Sequence, residues 1–208
     1  FMTNILVDLT KFDIIVIGAG KIGSRKIENL LEFNCKLTVI DPNISEEILS
    51  LNQNKVTILQ REYKKGDISP NSIVFCATGN PELDCVIKEE CEEKNALLNV
   101  ADVPELCNFI MPATIKRGDL TISVSSQGKA PFFVRETRKK LSKLFPNQTS
   151  FVVELAHILR QKMIDSGVYY NQVEREKIIN AFFSLNLENV IKEEGKQKAE
   201  KLVLGLFD

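Results

Sequence analysis

The apolar positions of the chain change period along its length. Ile14-Ile15-Val16-Ile17 is a continuous β-branched run that ends at Gly18, the pattern of a strand buried on both faces of a parallel sheet. Lys21 to Phe33 follows with Ile22, Ile27, Leu30 and Leu31 at helical spacing. Leu37-Thr38-Val39-Ile40 predicts a second strand, stopped by Asp41-Pro42; Val56–Leu59 predicts a third and Ser72–Ala77 a fourth. Pro81 to Lys94 reads as a helix with proline in its first turn, and Leu97–Val100 as a fifth strand. Strands alternating with helices imply an α/β fold, a Rossmann-like doubly wound parallel sheet.

After Pro112 the pattern differs. Leu120 to Ser125 alternates with period two, as a half-buried strand does. A turn at Gln127–Pro131 leads into a helix from about Phe132 to Leu144, which Phe145-Pro146-Asn147 breaks. From Phe151 onward the pattern is helical. The expected organisation is a dinucleotide-binding domain over 1–112, a small α+β strand–turn–helix unit over 113–146 and a helical C-terminal tail over 147–208. No internal repeat interrupts it.

A length of 208 residues and a hydrophobic content of 44% suffice for one ordinary core and a small second unit. The formal net charge of −1 points to neither nucleic acid nor a membrane surface. Charge is unevenly placed, however: eight basic residues stand against Asp119 and Glu136 between Ala113 and Thr149. Such an excess suits an anionic small molecule or an acidic partner; a solvated helix face is the alternative. Cys35, Cys76, Cys85, Cys91 and Cys107 form no C-x-x-C pair. Their odd number, with no leader ahead of Met2, is expected of a reducing, cytoplasmic compartment without disulfides. Cys35 and Cys76 read as small core filler. No apolar run approaches the ~20 residues that span a bilayer. Phe1, ahead of Met2, is expected to be an expression remnant.

Gly18-Ala19-Gly20-Lys21-Ile22-Gly23 matches G-x-G-x-x-G between a strand and a helix, the context that gives this motif its meaning. Gly18 permits a tight turn, Gly20 lets backbone approach a pyrophosphate, and Gly23 lets the helix pack closely on the strand. Lys21 and Ile22 open the helix, whose N-terminal amides would meet phosphate charge. Asp41 ends the second strand 23 residues after Gly18, near the offset at which an acid binds a ribose 2′-hydroxyl. A carboxylate there repels a 2′-phosphate, so NAD is expected rather than NADP. With Pro42 and Thr78 these residues make up the predicted cofactor site. A ligand-free glycine turn and a strand-ending acid are the plainer alternatives.

Asn99-Val100-Ala101-Asp102-Val103-Pro104-Glu105-Leu106-Cys107-Asn108-Phe109-Ile110-Met111-Pro112-Ala113 resembles the N-V-x-D-x-P-x-x-C-x-F-I-x-P-A segment of the precorrin-2 dehydrogenase family, which includes the dehydrogenase–ferrochelatase module of siroheme synthases. Gly118 to Pro131 is similar to the next family segment, G-D-L-x-I-A-I-S-T/S-G-G-K-S-P, with Gln127 and Ala130 in place of Gly and Ser. Val7-Asp8-Leu9 also fits, and so does Cys76-Ala77-Thr78-Gly79-Asn80, where the family has A-A-T-D-D. The likeness covers roughly residues 4–145, and the tail follows it only in character.

This resemblance implies NAD-dependent oxidation of precorrin-2 to sirohydrochlorin in siroheme biosynthesis, by a homodimer. Asp102 matches the family's catalytic aspartate, a base or a substrate orienter. Ser126 aligns with a family serine near the substrate cavity; Gly128, Lys129 and Arg135 are its neighbours at a cationic helix N-terminus, suited to the substrate's carboxylates. Some members also insert Fe2+ into sirohydrochlorin. No resident protein metal site can be argued, and the lone His157, among Leu155, Ala156, Ile158 and Leu159, is expected to be structural. Two other readings share the glycine motif: an NAD-sensing regulatory module of a transport system, and a generic 2-hydroxy-acid dehydrogenase. The first does not account for the Asn99–Ala113 segment, and the second needs a catalytic His or Lys near the cofactor, for which His157 is poorly placed.

Overall fold

The structure is a computed structural model that describes residues 2–51 and 55–207, so the expectation for Phe1 lies outside the described residues. The chain divides into two compact units, Phe1–Met111 and Pro112–Asp208; the second holds both the segment 113–146 and the segment 147–208.

In the first unit, β1 (Asp13–Ile17), β2 (Lys36–Ile40), β3 (Val56–Leu59), β4 (Ile73–Cys76) and β5 (Leu97–Val100) form one sheet in the order β3-β2-β1-β4-β5. Every pairing is parallel, with Ile17 beside Ile40 on one side and Cys76 on the other. This is the doubly wound arrangement expected, and it explains the unbroken apolar runs: Ile14 to Ile17 are all buried because both faces are covered. Helix α1 (Lys21–Leu31) lays Ile27 and Leu30 on the face of Ile14, Val16 and Phe75. Helix α3 (Pro81–Glu93), with its proline in the first turn, lays Ile87 and Cys91 on the face of Ile15, Ile17 and Val74. A one-turn helix α2 (Glu46–Leu49), too short to show as periodicity, is capped by Ser45.

The carboxyl ends of the strands are laced together beyond their last ladder bonds. Ala101 N–H donates to the Cys76 carbonyl at 2.8 Å, Ala77 N–H to Ile17 at 2.8 Å, Gly18 N–H to Ile40 at 2.9 Å and Asp41 N–H to Leu59 at 3.3 Å. The residues that leave the five strands are thereby held in one row, the edge where open α/β sheets bind ligands.

Two acids of α3 are buried, which the sequence reading did not anticipate. Asp84 accepts from Cys76 Sγ at 3.0 Å and Thr78 Oγ1 at 2.5 Å. Glu90, 1% exposed, accepts from Tyr63 Oη at 2.5 Å, Gly66 N–H at 3.0 Å and Ile68 N–H at 3.1 Å. It thus satisfies the backbone of the loop that follows β3. All five cysteines are free thiols, and Cys35 and Cys76 fill the core as expected.

In the second unit β6 (Ala113–Arg117) pairs antiparallel with β7 (Leu120–Val124). Only β7 was legible in the sequence, because β6 buries a single side chain, Ile115, and so lacks a repeated alternation. Helix α4 (Pro131–Leu144) follows the turn, and Arg117 caps its far end by donating to the Phe145 and Ser142 carbonyls at 2.7 and 3.3 Å. Helices α5 (Thr149–Asp165), α6 (Gln172–Ser184), α7 (Leu187–Glu193) and α8 (Lys196–Leu204) bury Leu155, Leu159, Met163, Phe182, Leu187, Ala199 and Val203 in a separate core. His157 is on the exposed face of α5: helical spacing turns Leu155 and Leu159 inward and His157 out. Among the described residues no helix is long and apolar enough to cross a membrane.

Removing the Glu90 carboxylate would strand the Tyr63 hydroxyl, the buried Ile68 amide and the Gly66 amide. Glu90→Ala is expected to lower the urea-unfolding free energy by about 3 kcal/mol, since hydrogen bonds to a buried acceptor of this kind are costly to leave unmade. A loss below about 1 kcal/mol would show that water replaces the carboxylate in this loop.

Candidate functional site

The G-x-G-x-x-G turn follows β1 and starts α1. Gly18 has φ +94, and a Cβ on it would lie 2.4 Å from the Ala77 carbonyl oxygen. The turn therefore runs directly against the end of β4, beside Thr78. Gly23 packs equally closely, since a Cβ there would lie 1.9 Å from the Gly18 carbonyl oxygen. Gly20 is different: a Cβ on it would meet nothing within 4 Å. Two of the glycines are required by the protein's own packing, and the third faces open space at the helix N-terminus. Among the described residues no side chain caps that terminus, and its first turn holds no acid. The first-turn amides of Lys21, Ile22 and Gly23 are thus left for an outside acceptor. The free amides and the open space at Gly20 suit an anionic group such as a pyrophosphate.

Asp41 closes the site on the β2 side. Its carboxylate accepts from Ala19 N–H at 2.5 Å and from Asn43 N–H at 2.6 Å. The acid that ends β2 is thereby bonded to the middle of the glycine turn, and Pro42 stands exposed next to it. Each carboxylate oxygen keeps a free lone pair for a ribose hydroxyl. Thr78 is on the β4 side. Its hydroxyl donates to Asp84 and accepts from Asn80 N–H at 3.0 Å, which shapes the entry to α3. Burial, together with the Asp84 carboxylate, pushes the Cys76 thiol up, so it is an inert filler beneath this corner.

Asp102 is two residues past β5, on the same edge. Its backbone has φ +61, the left-handed region that costs an L-residue about 1 kcal/mol. The side chain is exposed and, among the described residues, its carboxylate has no hydrogen-bond partner. A strained, unpartnered acid at the ligand edge is what a site residue looks like, whereas a turn-capping acid would bond its own backbone.

The segment after Asp102 doubles back along β5. The Asn108 side chain accepts from Leu98 N–H at 2.6 Å and donates to the Ala96 carbonyl at 3.1 Å, imitating a strand partner. Cys107 Sγ takes the Val100 N–H at 3.1 Å, and burial pushes its thiol up. Phe109 packs edge-on against Phe75, with ring centroids 5.4 Å apart. Asn99, 8% exposed, donates to the Phe109 carbonyl at 3.2 Å and accepts from Lys26 Nζ at 2.8 Å. The most distinctive stretch of the sequence is thus the cover of the sheet's edge strand and the frame of the Asp102 turn. Lys26 was missed in the sequence, where a lysine inside an amphipathic helix gives no sign that it turns toward the sheet.

Gly18, Gly20, Lys21, Ile22, Gly23, Asp41, Pro42, Thr78 and Asp102 all sit along the carboxyl edge of one sheet. Ser126, Gly128, Lys129 and Arg135 are in the second unit. There Ser126 Oγ accepts from Ala130 N–H at 2.9 Å, and Lys129 N–H donates to the Ser126 carbonyl at 3.1 Å. Gly128 has φ +81. Lys129 is exposed, and Arg135 pairs with Glu136 at 3.6 Å, with 68% of its side chain exposed. Among the described residues no cluster of His, Cys, Asp and Glu could hold a metal ion.

A family model described as "Putative NAD(P)-binding" matches residues 5–113. The siroheme synthase of Pseudoalteromonas atlantica is 32% identical over 158 residues, 76% of this chain and 34% of that protein. The siroheme synthase of Blochmanniella pennsylvanica is 30% identical over 201 residues, 96% of this chain and 42% of that protein. The chain thus spans about a third to two-fifths of the length of these relatives. Among solved structures, one described as SirC, precorrin-2 dehydrogenase, matches with a TM-score of 0.73 and 20% identity over 99% of both chains, a likeness of fold.

The two kinds of glycine separate in their expected effects. Gly23→Ala must push α1 off the turn, and is expected to cost about 1–3 kcal/mol of stability as well as dinucleotide affinity. Gly20→Ala is expected to leave stability within about 0.5 kcal/mol, because its methyl group has room, yet to weaken dinucleotide binding about tenfold or more. Chemical denaturation and calorimetric titration check both. Unchanged affinity in Gly20→Ala would remove the phosphates from this cradle.

Proposed function

The chain belongs to the NAD(P)-binding family, and we propose that it oxidises precorrin-2 to sirohydrochlorin with NAD+ as the hydride acceptor. The observation that carries this reading is Asp102: an exposed carboxylate in a strained turn, with no hydrogen-bond partner among the described residues, on the same sheet edge as the glycine turn. The siroheme synthase relatives and the fold of SirC support the choice of substrate.

The oxidation removes two electrons and two protons from the macrocycle: one hydrogen leaves as hydride and one as a proton. Bound nicotinamide supplies the acceptor for the hydride. Asp102 takes the proton, directly or through one water, for which its free lone pairs suit it. The glycine turn holds the pyrophosphate on the amides of α1. Asp41 holds the ribose hydroxyls, and its charge opposes a 2′-phosphate, which favours NAD+ over NADP+. Ser126, Gly128, Lys129 and Arg135 bind carboxylates of the substrate, at a helix end that Ser126 only partly caps. Ferrous iron as a second substrate belongs to the same proposal, its ligands being the tetrapyrrole nitrogens rather than protein side chains. A homodimer does too: Phe132, Phe133 and Leu144 of α4 are 69%, 63% and 71% exposed, apolar surface that a second copy would cover.

Asp102→Asn keeps the size of the side chain and removes its basicity. It is expected to lower kcat for precorrin-2 by about 10²- to 10⁴-fold and to leave NAD+ affinity unchanged. Turnover near that of the wild type would remove Asp102 from the proton step. The cofactor preference has its own check. NAD+ should exceed NADP+ in kcat/KM, and Asp41→Ala should narrow the gap; equal use by the wild type would show that Asp41 does not face the 2′ position. Lys129→Ala and Arg135→Ala should each weaken precorrin-2 binding about 3- to 10-fold, the range for a partly wet charged contact, with NAD+ binding unaltered. Unaltered precorrin-2 binding in both would leave these cations as solvated surface.

A further inference from the structure

Lys26 shares the inward face of α1 with Gly23, Ile27 and Leu30. Its ammonium is half-buried, 2.8 Å from Asn99 Oδ1 and 5.0 Å from the centroid of the Phe75 ring. An apolar side chain would pack on Phe75 without the cost of desolvating an ammonium. That cost is visible as a Lys26 ammonium held below the usual lysine range, chiefly by burial. The charged and titratable groups within its field are Cys107 and Asp102, which favour the cation, and Arg25, which opposes it. Asp102 is the acid of the proposed site, and Cys107 closes the turn that carries it.

The bonded path is continuous. Lys26 Nζ bonds Asn99, Asn99 Nδ2 bonds the Phe109 carbonyl at 3.2 Å and Cys107 Sγ at 3.7 Å, and Cys107 Sγ bonds the Val100 N–H at 3.1 Å and the Val103 carbonyl at 3.4 Å. Val100 and Val103 flank Asp102 on both sides. We propose that Lys26 is a positioning residue: through Asn99 and Cys107 it ties the dinucleotide-binding helix to the Asp102 turn and holds that turn in place. The proposal rests on the reading of Asp102 given above. It accounts for a hydrogen-bond donor where packing alone would select a hydrophobic residue.

The test compares Lys26→Met and Lys26→Arg with an exposed-site control, Lys65→Met. Amide hydrogen exchange from Val100 to Val103 in the cofactor-free protein gives a readout independent of turnover. Lys26→Met, which has no donor for Asn99, is expected to speed exchange in that turn about 10-fold or more. It should lower kcat about 10- to 100-fold, as misplacement of a reacting group does, with NAD+ affinity changed less than about 3-fold. Lys26→Arg, which keeps a donor, should hold the exchange rates and most of kcat, and Lys65→Met should change neither. Lys26→Ala gives the same comparison if the Met variant does not fold. Unchanged exchange in the Met variant would overturn the proposal, and so would equal loss of activity in the Arg and Met variants. If the wild-type protein does not oxidise precorrin-2, the functional reading fails, while the exchange still decides whether Lys26 holds the Asp102 turn.

Discussion

Helix α1 leaves the sheet so close to β1 that Gly23 has no room for a methyl group, which would lie 1.9 Å from the Gly18 carbonyl oxygen. Much of the site depends on that contact. It aims the uncapped N-terminus of α1 across the carboxyl edge, where a pyrophosphate can meet the free amides. It brings Ala19 within reach of the Asp41 carboxylate, so the acid ending β2 is bonded to the turn ending β1. It also sets the depth at which Lys26 crosses Phe75 to reach Asn99 on β5. One close backbone approach thus relates three strand ends to a single helix.

The carboxyl edge has two sides of different construction. On the β1–β2 side the groups that would face a dinucleotide are backbone amides and one carboxylate, held by hydrogen bonds of 2.5 and 2.6 Å to Asp41. On the β5 side a loop imitates a strand, with Asn108 in the place of a backbone partner and Phe109 on Phe75. That loop is what separates this chain from a generic dinucleotide-binding domain. Its polar residues frame one turn, and the acid in that turn has no hydrogen-bond partner among the described residues.

Much of this was legible in the sequence, and the reasons are specific. β1 could be read from Ile14 to Ile17 because burial on both faces leaves no polar position in the run. The glycines carried meaning because Gly18 and Gly23 are sites where a side chain clashes with backbone, a constraint no other residue meets. The Asn99–Ala113 segment stood out as a resemblance, but its physical work appears only once Asn99, Cys107 and Asn108 are seen to bond β5. Lys26, Asp84 and Glu90 were not legible. Each is an ordinary charged residue within a helical pattern, and its burial depends on partners 6 to 73 positions away in the chain. β6 was missed for the opposite reason: an edge of a two-stranded ribbon that buries only Ile115 leaves too little pattern to read.

The central claim is that the glycine turn and Asp102 serve one dehydrogenation. The most direct measurement mixes the protein with precorrin-2 and NAD+ under anaerobic conditions and follows both chromophores together. The account predicts that reduced nicotinamide and sirohydrochlorin rise in equal amounts and at one rate. Binding of NAD+ without any oxidation of precorrin-2, under conditions where the substrate is itself stable, would contradict it.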